Sequence, residues 1–502
     1  MTEKDQAFAP ENGGKGLTLP GLLIGLLTGL AVYAIVEYWI DGNDDSPLAL
    51  TVLFFTVTVA AAYLLLAEAG QFLRSAIGAL LIAAAIAAPD YFIFATLSGE
   101  EANLTPFPAV FWMATRGLAA YLMATLVKAA QESGVPPAYS PVFFHGVTIP
   151  LIAGGAKLFA ALALVLLFAW ARLLKELDVN FFNKLFQEPW FILPFLGGIG
   201  GLSIALMRGL QSLLGALRFV LLLLARILMI ITALFTITGL LVLVIKGPSV
   251  VFDLTLSPGG IMMGLALTGM LIFNGVYQNG EGGAPPLWLR IPTIITLIGF
   301  PIYAGLAFYA LHLRIDAYGL TPNRIAAYAI NALIAAYSIV CIAGLVTEAN
   351  WRGRKWMPLV GPLNTAMAAL WVAVLILLAS PLLNPWAISA KSQYAVLANG
   401  RVAAADFDFG YLRFKLGAYG EKALDKLLAL DNHPEAAAIR EGVARARNAD
   451  TYWYYQYPPA IPEAKEPGES AAAGSETPET LPFNPPDADT GPDDPDAQPQ
   501  NG

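Results

Sequence analysis

RIDAYGLTPNR, residues 314–324, lies between two apolar runs, 289–312 and 325–347, and this juxtaposition decides the fold class. Each run exceeds the roughly 20 residues that a helix needs to cross about 30 Å of hydrocarbon. The stretch between them is polar and charged. Gly319 relieves backbone strain at a tight turn, and Thr321-Pro322-Asn323 reads as a helix start, with Thr321 as N-cap and Pro322 at the first helical position. Arg314, Asp316 and Arg324 then fall at a membrane boundary. They are either a rigid interhelical connection closed by an ion pair or a contact point for an anionic headgroup or ligand. Arginine forks match phosphate geometry, and helix N-termini attract anions.

The same unit of apolar run and short polar connection recurs outward in both directions. The chain is 57 % hydrophobic and 13 % charged, against about a quarter charged in soluble domains. Further apolar segments lie at about 19–40, 48–67, 75–97, 107–128, 149–173, 190–208, 227–246, 258–279 and 362–382, which with the two flanking runs makes eleven. They are continuously apolar rather than alternating, which indicates helices and not barrel strands. The expected fold is an all-α membrane protein, a polytopic bundle of about eleven transmembrane helices. Two assignments are irregular: segment 107–128 carries Arg116 near its middle, and 209–226, interrupted by Arg208, Arg218 and Arg226, reads as a helix lying along the interface.

Four parts follow from composition: a polar arm (1–18), the bundle (19–385), a small helical extracytoplasmic portion (386–457) and an acidic tail (458–502). The apolar run after the arm is too long for the core of a cleaved signal peptide. The tail has ten acids, one Lys and eleven prolines, which leaves 27 acidic and 28 basic residues elsewhere. Such a composition predicts disorder there. Counting loop Lys and Arg with the N-terminus inside puts eleven on the inner side, Lys128, Arg208, Arg218 and Arg226 among them, and six on the outer. The positive-inside rule therefore predicts a cytoplasmic N-terminus and an extracytoplasmic C-terminus.

Several stretches resemble a family of bacterial inner-membrane proteins catalogued as a domain of unknown function, number 4153. They are LFAWARLLKELDVNFFNKLF (167–186), MLIFNGVYQNG (270–280), LRIDAYGLTPNRI (313–325), SAKSQYAVLANGRV (389–402) and DFDFGYLRFKLGAYGEKALDKL (406–427). YGLTPNR at 318–324 is the most distinctive of them. The resemblance implies a multi-pass inner-membrane protein with a patterned C-terminal extension, and it brings no substrate, cofactor or catalytic residue with it.

Ionisable groups at apparent membrane depth are costly and often functional. Asp90, Arg116 and Lys157 come from three segments and either form a buried network, line a polar pathway, or snorkel to an interface. Asn274 reads as interhelical glue or a ligand contact, and Gly197, Gly198, Gly200 and Gly201 as a close-packing face. Arg352, Arg354 and Lys355, between Trp351 and Trp356, read as a positive-inside anchor with interfacial tryptophans rather than a nucleic-acid patch. No Walker A loop, HExxH or cysteine–histidine cluster occurs, and Cys341 is the one cysteine, so no metal, cofactor or disulfide is implied. The GLSI at Ser203 is an incomplete context for a serine nucleophile. The expected role is a non-enzymatic envelope scaffold or sensor. Its partners would be membrane lipids and an envelope protein reached through 386–457. A transporter or lipid-handling protein is the alternative, and an intramembrane enzyme the third.

Overall fold

A helix satisfies its own backbone hydrogen bonds, so each apolar run becomes one. A computed structural model describes residues 16–40, 46–97, 109–247, 258–350 and 355–456. The first half of the bundle comprises α1 (Thr18–Ile35, prolonged by a π-helical turn Val36–Ile40), α2 (Pro47–Leu66), α3 (Phe72–Leu97), α4 (Ala109–Ser133) and α5 (Tyr139–Glu176). A short α6 (Phe181–Leu185) leads to α7 (Pro189–Gly209), α8 (Gln211–Lys246), α9 (Pro258–Tyr277), α10 (Leu287–Tyr318), α11 (Pro322–Asn350) and α12 (Val360–Leu378). Four helices, α13 (Pro385–Ala398), α14 (Phe409–Leu428), α15 (Ala436–Asn448) and α16 (Tyr452–Gln456), form a C-terminal module. Ten of the described helices are long and apolar enough to cross a membrane. The 25-residue α4, which carries Arg116, is not among those ten but occupies the expected place in the series.

Local chemistry sets the helix starts. Proline stands at the first turn of α2, α7, α11 and α13, where its missing N–H costs nothing. Ser46 and Asn384 cap α2 and α13 through their side-chain oxygens, and Thr321 Oγ1 accepts from the Arg324 N–H at 3.3 Å, as the sequence predicts.

The structure revises three expectations. Residues 209–226 are no separate interfacial helix, because α8 runs unbroken for 36 residues through Arg218 and Arg226. The connection at 314–324 shrinks to Gly319, Leu320 and Thr321, because α10 stays helical to Tyr318. Trp356 is no interfacial anchor; it is 4 % exposed and its ring packs against Phe273 and Tyr277. The tail from residue 458, most of the N-terminal arm, Trp351, Arg352 and Arg354 fall outside the described residues.

The largest core lies among α9, α10, α11 and α12, where Phe273, Phe300, Leu297, Ile334 and Cys341 are buried. The closest helix pair is elsewhere. Gly21, Gly25 and Gly29 recur every four residues, so they share one face of α1. That face lies against Gly197, Gly198 and Gly201 of α7, the packing role expected for these glycines. A Cβ on Gly25 would run into the Gly197 carbonyl, whereas one on Gly200 would meet open space. Gly25→Leu is expected to cost roughly 1–3 kcal/mol through overpacking, read as a lower melting temperature in detergent. Gly200→Leu should leave it about unchanged.

Candidate functional site

The three-residue turn between α10 and α11 is where the C-terminal module meets the bundle. Ser389 Oγ of α13 donates to the Leu320 carbonyl at 2.8 Å, and the Leu320 N–H donates to Ser392 Oγ at 3.1 Å. Gln393 Nε2 donates to the Tyr318 and Leu320 carbonyls at 3.1 and 3.3 Å. Arg324 turns back to donate to the Gly319 carbonyl at 2.8 Å, with its guanidinium over the Tyr318 ring. The Gly319 carbonyl and both backbone groups of Leu320, left over by the two helices, are thereby satisfied. Gly319 holds φ +72°, and a Cβ there would sit 3.0 Å from Gln393 Nε2 and 3.3 Å from Val396. The positive φ favours glycine at this position, and a Cβ would also press on the two side chains of α13.

The three charged residues of this stretch divide. Arg324 belongs to the seam through Gly319, Asp316 is exposed, and Arg314 is partly buried in the last turns of α10. Arg324 engages the Gly319 carbonyl and the Tyr318 ring rather than Asp316.

Beyond the seam the module has its own core, centred on Phe409, Leu412, Leu424, Leu427, Ile439 and Val443. Asp408 caps α14 at the Tyr411 N–H, 2.8 Å, and accepts from the Tyr452 hydroxyl at 2.6 Å. Burial, reinforced by that carboxylate, pushes the Tyr452 hydroxyl well above its usual range. The Arg447 guanidinium is raised chiefly by its hydrogen bond with Asp425 and then by Glu421, at 2.7 and 2.9 Å. The aromatic run at 452–456 packs on this module, where Tyr455 is buried and accepts from the Phe409 N–H.

Of the three ionisable residues read at membrane depth, two meet. Arg116 Nε donates to Asp90 at 3.0 Å, and Trp112 Nε1 donates to the other carboxylate oxygen at 2.9 Å. Arg116 also reaches the Phe54 carbonyl at 3.0 Å and the Thr58 hydroxyl, and its guanidinium stacks over Phe54. Asp90 is 2 % exposed, and Arg116 links its carboxylate on α3 to the Phe54 carbonyl and Thr58 hydroxyl of α2. Lys157 stands apart, exposed on α5.

Asn274 joins a different network. It donates to the Met270 carbonyl and the Tyr337 hydroxyl, both at 2.9 Å, and accepts from Asn364 at 2.8 Å and Tyr139 at 3.4 Å. Four helices, α5, α9, α11 and α12, are joined in this way. Asn364 and Tyr139 carry this network as much as Asn274 does. Neither is singled out by the sequence, although Asn364 is an amide within an apolar run; that both converge on Asn274 only the fold shows.

A third cluster is invisible in the sequence. Lys128 Nζ donates to the Leu66 carbonyl at 2.9 Å and to Glu68 at 2.5 Å, while Arg208 donates to the Leu64 and Ala67 carbonyls. Read as loop cations, they are instead buried groups closing the end of α2. His145 is held by Glu132 at 2.7 Å. Among the described residues no group of three or more His, Cys, Asp or Glu is placed to hold a metal ion.

A family model described as a domain of unknown function (DUF4153) matches residues 27–427. No curated protein and no solved structure matches the chain.

The Asp90 pair generates a direct test. Arg116→Leu strands a buried carboxylate and is expected to destabilise the protein by roughly 3–5 kcal/mol. The D90L/R116L double variant should recover much of that loss, measured by thermal or denaturant unfolding in detergent.

Proposed function

The chain belongs to the DUF4153 family, and we propose that it is a non-enzymatic scaffold or sensor of the bacterial inner membrane. In this role the N-terminus is cytoplasmic, and residues 386–457 stand on the extracytoplasmic side to engage an envelope protein partner. The observation that carries the proposal is the seam, in which Ser389, Ser392 and Gln393 bind the main chain of the α10–α11 turn. A module that only needed tethering would be served by a flexible linker. Here its first helix is bonded to backbone groups of the bundle, so module and bundle keep a defined relation. A scaffold needs that to present a surface, and a sensor needs it to transmit a change. Basic residues in the loops and helix ends assigned to the cytoplasmic side outnumber those opposite, which supports the orientation.

Transport through buried polar residues has less to draw on. Asp90 and Arg116 satisfy one another, and the cavity beside them is about 20 Å³, room for about one water.

Deleting residues 386–456 is expected to abolish the phenotype that the full chain supports, and full function without them would refute the role. S389A/Q393A should weaken the seam by roughly 1–3 kcal/mol, read as faster hydrogen exchange around Leu320 and a proportionate loss of function. A reporter fused after Gln456 should be active outside the cytoplasm.

A further inference from the structure

At the end of the bundle opposite the seam, α8 and α5 overrun a bilayer. They have 36 and 38 residues, so at 1.5 Å per residue both exceed 50 Å, against about 30 Å of hydrocarbon. Between the first half of α8, the start of α5 and the end of α9 lies a cavity of about 270 Å³. One wall is apolar, made by Phe143, Phe144, Val147, Phe219, Leu222 and Leu223. The polar lining is Arg218, Arg226, Ser140, Gln278 and Asn279, and no carboxylate contributes.

The two arginines are placed differently from Lys128 and Arg208 at this end. Lys128 and Arg208 are buried and committed to Glu68 and the α2 carbonyls. The Arg218 guanidinium lies 4.1 Å over the Phe144 ring, with Thr148 Oγ1 at 3.5 Å. Stacking fixes the plane of a guanidinium while leaving it charged. Arg226 is exposed, lines the same cavity, and has no ion-pair partner among the described residues. Eight residues of helix separate the two, about 12 Å of axial rise. The cavity therefore offers two positive charges along an apolar trough, one stacked on Phe144 and one exposed, together with the amide side chains of Gln278 and Asn279.

We propose that this cavity binds an anionic phospholipid, its acyl chain along the phenylalanine and leucine wall and its phosphate held by Arg218 and Arg226. A basic pocket between helices at a membrane boundary suits such a headgroup, and guanidinium forks suit phosphate oxygens. A soluble anion would leave the apolar wall unused. The apolar wall and the two cations together select an amphiphile.

The full chain is placed in nanodiscs of phosphatidylcholine with a minor fraction of phosphatidylglycerol, and the retained lipids are counted by native mass spectrometry. The wild type should retain phosphatidylglycerol selectively. R218Q/R226Q should lose that preference by roughly fivefold for each arginine removed. K157Q, at an exposed cation elsewhere on α5, should retain it. Leu222→Trp, which fills the trough and leaves both charges, should also lose it, and it carries the test if the glutamine pair does not fold. Three results would overturn the proposal: selectivity that survives R218Q/R226Q or L222W, an equal loss in K157Q, or inorganic phosphate stabilising delipidated protein as much as phosphatidylglycerol does. The last would assign the arginines to a free anion.

Discussion

Lys128 and Arg208 close the end of α2. A helix leaves its last carbonyls without intrahelical partners, and near hydrocarbon an unsatisfied carbonyl is expensive. Here Leu64, Leu66 and Ala67 are served by cations from α4 and α7, and Glu68 neutralises one of them. Because α7 is also locked glycine to glycine against α1, this arrangement ties four helices. The Asp90–Arg116 pair joins α2, α3 and α4 elsewhere in the same half of the bundle. The amide and tyrosine network joins α5, α9, α11 and α12. Polar groups hold this bundle together by closing on one another.

Much of this was legible in the sequence, and the failures share a cause. Apolar runs announce helices, and Thr321-Pro322 announces a helix start at the residue where α11 begins. Arg208 and Lys128 looked like loop cations because their signal is local, whereas their acceptors lie 144 and 62 residues away and are main-chain carbonyls, which every residue has. Arg226 looked like a break because an arginine within leucines is costly in lipid. The helix continues because that arginine borders a cavity. Ser389 and Gln393 are ordinary residues in an ordinary helix, and only the fold places the turn against them. Asp90 and Arg116 did meet, but no sequence rule excluded Lys157 from joining them.

Membership of a family without an assigned activity concentrates attention on geometry. The two ends of α10, a helix of 32 residues, serve different ends of the molecule. One lies near the apolar trough flanked by arginines, and the other ends in the glycine turn that holds the module. Between them the Asp90–Arg116 pair and the Asn274 network are closed by protein partners.

The seam itself is made of hydroxyls, an amide and main-chain groups, with Arg324 as its one ionised member. A guanidinium does not lose its proton in proteins, and neutral hydrogen bonds are not screened by ions as opposed charges are. No group in the junction titrates in the physiological range. A change of ionic strength therefore leaves the attachment intact, while weakening the Arg440–Asp431 and Arg447–Asp425 pairs on the module's surface.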